Sequence, residues 1–209
     1  MNLFELLRQH ARIEPDAMAV SSTYRSMTYR KLWSRIERAT ARLQGEWGIK
    51  SGDTVAYCGQ AHPDAIVLYV ALARCAARLI PLEHRALQSR IGEVVRALDV
   101  RIVVHDDQTP VEAADLPAAF KPLSALIMTR CHYQPSIIAE DAARPSLVAI
   151  RSLANGHVRS EQKSLDRMIV RTSAAPDRIY PIAGSLFDDD VFAPVVLQAL
   201  LAGRTLIFD

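Results

Sequence analysis

Glycine is scarce in this chain, with 8 residues in 209. Loops that wrap a phosphate with backbone N–H groups draw on several glycines, because glycine alone reaches positive φ cheaply and lets the backbone come close. Cysteine is scarcer: Cys58, Cys75 and Cys131 are odd in number and lack CxxC spacing. That excludes a disulfide scaffold and implies buried, reduced thiols in a cytosolic protein. A dominant charge is missing too, with 25 Lys and Arg against 23 Asp and Glu and a net charge of +2. Nucleic-acid binders concentrate far more positive charge, so no nucleic-acid partner is expected. No uncharged apolar run reaches the ~18 residues of a membrane span; Ala65–Ala73 suits a buried helix instead. The opening residues Met1-Asn2-Leu3-Phe4-Glu5-Leu6-Leu7-Arg8 carry acid and base inside the apolar run, unlike a secretory leader. A cytoplasmic protein with no membrane contact is the expectation.

What is present is half hydrophobic and 23% charged, enough for a substantial core. Asn2 is placed to cap a first helix, with Leu3, Leu6, Leu7 and Ala11 on one face, ended by Pro15. Residues 18–22 and 26–28 read as a hairpin. Thr28 caps the clearest helix, whose apolar face is Tyr29, Leu32, Ile36, Ala39, Leu43 and Trp47, with Gly48 as its stop. Its other side, Arg30, Lys31, Arg35, Glu37, Arg38 and Arg42, is most simply a solvated face. Next come a strand over 54–58, a helix from Pro63 that is apolar nearly all round, a strand over 79–82, a helix over 87–98 and a strand over 101–105. This alternation predicts a parallel βαβαβ unit with right-handed crossovers. Residues 106–145 are the least regular stretch, with one strand over 123–128 inside it.

The next apolar run, Leu147-Val148-Ala149-Ile150, opens into a polar loop over 151–159 and then a basic amphipathic segment. Arg151, Arg159, Lys163, Arg167 and Arg171 outweigh Glu161 and Asp166 there, and Gly156 is its one glycine. A strand opening into such a loop is where an α/β protein keeps its chemistry. The row Arg159, Lys163, Arg167 and Arg171 reads as a solvated helix face or as an anion or partner surface. A helix around Leu165, Met168 and Ile169 follows, then a break at Ala175-Pro176-Asp177 and a strand over 178–182. Asp188, Asp189 and Asp190 precede an apolar helix over 191–201 closed by Gly203, and a last strand spans 205–208. The aspartates suit the cap and dipole of that helix better than a magnesium site. His105-Asp106-Asp107 and Cys131-His132 match no metal spacing. The expected organisation is a first α/β subdomain over 1–109, an irregular connection over 110–144 and the start of a second α/β subdomain over 145–209.

Four stretches resemble the N-terminal part of the AMP-forming adenylating enzymes: acyl- and aryl-CoA synthetases, peptide-synthetase adenylation domains and luciferases. Met27-Thr28-Tyr29-Arg30-Lys31-Leu32 resembles their LTYxEL helix start, and Gly48-Ile49-Lys50-Ser51-Gly52-Asp53-Thr54-Val55-Ala56 their GVxxGDxVA turn and strand. Residues 71–82 stand where the family has a helix, a small-residue turn and a proline-leucine strand end; residues 197–206 resemble its ALLAGATLV segment. The resemblance implies parallel sheets with helices on both faces, and a second subdomain that is incomplete relative to the family.

It also implies ATP and magnesium as cofactors and a small carboxylic acid as ligand. The family's TSGTTGxPKG loop, which closes over the ATP phosphates, falls at 151–160. There Ser152 and Gly156 match, Arg159 stands for the lysine, and Arg151, Leu153, Ala154, Asn155, His157, Val158 and Ser160 depart. Ser152, Asn155, Gly156 and Arg159 are therefore the expected residual phosphate contacts. A segment lining the substrate side is met by Ser185-Leu186-Phe187-Asp188, with Asp188 in place of the family's histidine, which makes Phe187 and Asp188 the expected substrate contacts. The family's magnesium motif, ribose aspartate and C-terminal lysine domain have no counterpart in these residues. No catalytic residue is assigned. Two functions remain open: a truncated or degenerate acid ligase unable to adenylate by itself, needing a missing half; or a non-catalytic module binding a small acyl or aryl ligand or a protein partner, a homo-oligomer included.

Overall fold

The structure is a computed structural model that describes residues 3–23, 25–83, 85–108, 116–127, 133–135, 146–154, 157–164, 179–182, 185–188 and 191–208. Asn2, Cys131, His132, Asn155, Gly156, Arg167, Arg171, Asp189, Asp190 and the expected helix around Leu165 lie outside the described residues, as does most of 110–144.

Helix α1 (Leu3–Ile13) buries Leu3 and Leu7, and strands β1 (Met18–Ser22) and β2 (Ser26–Thr28) form the expected antiparallel hairpin. Thr28 then caps α2 (Tyr29–Gly45): its hydroxyl accepts the Lys31 N–H at 3.3 Å, supplying one of the acceptors a helix start lacks. Tyr29, Leu32, Ile36, Ala39 and Leu43 are buried as their spacing predicts. The helix ends at Gly45, earlier than Gly48, whose positive φ of 64° instead turns the chain after it.

Strand β3 (Thr54–Cys58) is buried at every position, the pattern of a central parallel strand. Helix α3 (Pro63–Arg74) is buried from Pro63 to Ala73, and β4 (Arg78–Leu82) follows. The single helix expected over 87–98 is two: α4 (Arg85–Gln88) and α5 (Ile91–Ala97). Arg90, at φ −115° and ψ 22°, leaves the helical region between them. Strand β5 (Val100–His105) lies beside β3, and β6 (Ala119–Pro122) beside β5. The strand expected over 123–128 is helix α6 (Leu123–Ile127), because Leu123, Leu126 and Ile127 bury one face at helical spacing.

Strands β7 (Ser146–Ala154) and β8 (His157–Ser164) complete a sheet of order β6-β5-β3-β4-β7-β8, parallel except for β8. A second sheet, β2-β1-β10-β9, adds β9 (Ile179–Ile182) and β10 (Thr205–Phe208), which pair in parallel with each other and with β1. Residues 1–109 and 145–209 thus each contribute strands to both sheets. Between β9 and β10, Phe192–Leu197 winds as a π-helical turn before α7 (Gln198–Leu201). Pro194 sits inside it, without an N–H to give, and the Val196 N–H reaches back five residues to the Val191 carbonyl at 3.1 Å. The helix cap therefore falls on Val191, with no side-chain hydrogen bond, rather than on the aspartates; the Asp188 carbonyl accepts the Val191 and Phe192 N–H groups.

Helices α2 and α3 share one core with both sheets: Val20, Leu206 and Phe208 from one, Val55, Tyr57, Leu79 and Ile102 from the other. Helix α5 covers the opposite face of the six-stranded sheet through Val94 and Val95, against Ala56, Ile80, Val103 and Val148. Helices on both faces of a mainly parallel sheet are what the alternation predicts. Among the described residues no helix is long and apolar enough to cross a membrane.

Two arginines of α2 overturn its expected solvated face. Arg42 is buried, donates to the Ala125 carbonyl of α6 and pairs with Glu46 at 3.0 Å. Arg35 reaches Asp64, buried in the first turn of α3, at 2.7 Å, and Arg25 of the β1–β2 hairpin reaches the same carboxylate. One buried carboxylate thus ties an arginine of the β1–β2 hairpin and an arginine of α2 to α3, and a charge left in that place without partners would be strongly unfavourable.

Candidate functional site

The expected polar loop over 151–159 is a hairpin. Residues 146–154 pair antiparallel with 157–164 as far as Ala154 opposite His157, so only 155 and 156 connect the strands. Ser152 lies directly opposite Arg159, and a bulge between Ile150 and Ser152 shifts the register. Arg159 and Lys163 therefore sit on a strand, not on a helix. With Glu161 between them they alternate onto one face of β8. Arg151 of β7 donates to the Glu161 carboxylate at 2.8 and 2.5 Å, so one of the hairpin's positive charges is already matched. The ladder uses main-chain N–H groups that a phosphate cradle would need to aim at its anion.

The second part of the site lies at the carboxyl ends of β3, β4 and β5. In open α/β sheets a ligand crevice forms where the strand order reverses, here between β3 and β5. Asp106 fills that place: one carboxylate oxygen accepts the Gln60 N–H at 2.8 Å, the other the Gln108 N–H at 3.1 Å. Gly59 is hemmed in beside it, since a Cβ there would stand 2.7 Å from both the Asp106 carboxylate and the Tyr57 hydroxyl.

At the neighbouring strand end, Glu83 follows β4 directly and takes up the segment Ser185–Asp188. Its carboxylate accepts the Ser185 hydroxyl, the Leu186 N–H at 3.2 Å and the Phe187 N–H at 3.0 Å. Burial pushes the Glu83 carboxyl above the usual carboxylate range; the hydrogen bonds from Ser185, Phe187 and Leu186 work against that shift, and the charge of Asp188 adds to it. Gln88 fixes the loop from below, its amide donating to the carbonyls of Gly59, Leu82 and Glu83.

Phe187 is 4% exposed and packs on Phe192, Tyr69 and Tyr57 with ring centroids 4.9, 6.2 and 6.4 Å away. It anchors the segment in the core, each such aromatic pair contributing about 0.5–1.5 kcal/mol. Asp188 is exposed beside it. Ser152 and Arg159 are thus brought together on the hairpin, and Phe187 and Asp188 on the segment held by Glu83. Sequence reasoning missed Glu83, although an acidic residue immediately after an apolar parallel strand stands where α/β sheets carry ligand-facing groups. Among the described residues no group of three or more His, Cys, Asp or Glu side chains is arranged to hold a metal ion.

Comparison with known proteins agrees with this architecture. The pattern of the family described as AMP-binding enzyme matches residues 7–166. The D-alanine–D-alanyl carrier protein ligase of Bacillus licheniformis is 26% identical over 115 residues, covering 55% of this chain and 23% of that protein. A feruloyl-CoA synthase of an Amycolatopsis species is 24% identical over 207 residues, 95% of this chain and 42% of that protein. The N-terminal subdomain of Klebsiella oxytoca NpsA, solved in complex with 3-hydroxybenzoyl-AMSN, shares the fold with a TM-score of 0.76 at 23% identity, over 99% of this chain and 53% of that one. The chain spans less than half the length of these two curated relatives and about half that of the solved structure. On the match over residues 7–166, the chain belongs to the AMP-binding enzyme family.

Proposed function

We propose that this chain is a degenerate AMP-dependent acid ligase that keeps a place for a small carboxylic acid and does not adenylate it unaided. The observation behind this is the 151–164 hairpin: its backbone pairs up to the two-residue turn, and Arg151 is matched by Glu161. Of the expected phosphate contacts the described ones are Ser152 and Arg159, too small a donor set to hold a triphosphate and spread its developing charge. They do not fit ATP with its magnesium. A further segment or partner would have to supply those functions.

For the acid, Asp188 offers a carboxylate at the exposed end of the Ser185–Asp188 segment, which favours a ligand that carries an ammonium group as well as its carboxylate. The D-alanine named in the Bacillus licheniformis relative is such a molecule. Calorimetric titration of the chain with D-alanine and with propionate tests this. An exposed ion pair is worth up to about 1 kcal/mol, so D-alanine should bind up to about fivefold more tightly, with Asp188→Asn erasing the difference. Equal affinities in the wild type would sink the assignment. The alternative, a module that engages a partner protein, is favoured by the exposed charged face of β8; a partner whose capture is lost on reversing Arg159 and Lys163, with no acid bound, would replace the ligand reading.

A further inference from the structure

We propose that Glu83 is a positioning residue: it fixes the Ser185–Asp188 segment against the end of β4 and so sets where Asp188 stands. The contact joins residues more than a hundred positions apart, through two backbone N–H groups and one hydroxyl, all converging on one half-buried carboxylate. Gln88 holds the main chain of Glu83 at its carbonyl, 3.1 Å away, so the carboxylate is aimed from a fixed base. On the far side the Phe187 ring is clamped between Tyr69, Tyr57 and Phe192. The residue after this double hold is Asp188, whose carbonyl starts the turn that leads to α7. Half-burying a carboxylate close to a second acidic group is unfavourable for packing alone. Three donors shared over two oxygens suit an acceptor-only carboxylate, which an amide with its single acceptor oxygen could not replace, and its place at the end of β4 beside a candidate site ties this hold to the site.

The effect on ligand binding rests on the role proposed above for Asp188, whereas the hold on the segment does not. Amide hydrogen exchange at Leu186 and Phe187 tests the hold in the chain alone. Losing charge-assisted hydrogen bonds in Glu83→Ala should speed exchange by about tenfold or more. Glu83→Gln, whose single acceptor oxygen can hold only one of the two N–H groups, should speed exchange at one of Leu186 and Phe187 and leave the other within about threefold of wild type. D-alanine affinity measured over a cycle of Glu83→Ala and Asp188→Asn separates positioning from general support. The Glu83→Ala loss should disappear once Asp188 is already Asn; the same loss in both backgrounds overturns the proposal, as does unchanged exchange in Glu83→Ala. If the wild type takes up no D-alanine, the assignment of Asp188 falls, and the exchange measurement alone upholds or overturns the hold.

Discussion

Replacing Asp64 by Asn should destabilise the protein far more than any other single charge removal on α3. The carboxylate has 4% of its side chain exposed and receives Arg35 at 2.7 Å and Arg25, while its own N–H donates to His62 Nδ1 at 3.1 Å. Breaking a buried ion pair by removing one partner costs about 3–5 kcal/mol. Arg25 is 38% exposed and its share is screened to about 1 kcal/mol or less, so most of the loss falls on Arg35, which is 20% exposed. A net loss of about 3 kcal/mol corresponds to a fall in Tm of about 6–12 °C for a chain of this length. Thermal unfolding followed by circular dichroism measures it. A double-mutant cycle should give a larger coupling of Asp64 to Arg35 than to Arg25. A Tm within about 2 °C of wild type, or the reverse order of couplings, would refute the weight placed on burial.

Glu83→Gln should change the pH dependence of stability. Burial raises the folded carboxyl above its unfolded value, so its contribution is fully present below the unfolded pKa near 4.5 and is lost as pH rises through the folded value. Urea midpoints should therefore show the variant gaining on wild type between acid and neutral pH, and parallel slopes would contradict the shift. Burial pushes the thiols of Cys58 and Cys75 up to about 12. Both should resist alkylation at neutral pH until the chain is unfolded, as peptide mass mapping would show; labelling of either in the native protein would be a failure. Gly203→Ala places a Cβ 2.8 Å from the His10 ring at a φ of +69°, and should destabilise by about 1–3 kcal/mol, read from the denaturation midpoint.

Much of the frame is legible in the residues because local signals agree there. Thr28 with the three-and-four spacing of α2, the unbroken apolar run of β3, and Pro63 ahead of an all-round apolar helix each specify one structure. Where the prediction fails, one pattern serves two structures. A spacing of four puts Arg159 and Lys163 on one face of a helix and equally on one face of a strand, since four is also a multiple of the strand period. Leu123 to Met128 is a short apolar run, which periodicity cannot assign. Arg42 looks solvated by composition; only the packing of α6 against α2 reveals that its guanidinium is capping the Ala125 carbonyl. The grip of Glu83 on Ser185 to Phe187 depends on how two distant strand ends meet, which no local signal encodes.

On the function proposed above, the chain keeps this fold and has lost unaided adenylation. ATP–pyrophosphate exchange by the purified chain, with D-alanine and a panel of aryl and acyl acids, tests it most directly. The hairpin's paired backbone and depleted donor set predict no exchange above the enzyme-free blank with any acid. Acid-dependent exchange by the chain alone, abolished by Arg159→Ala, would contradict the account.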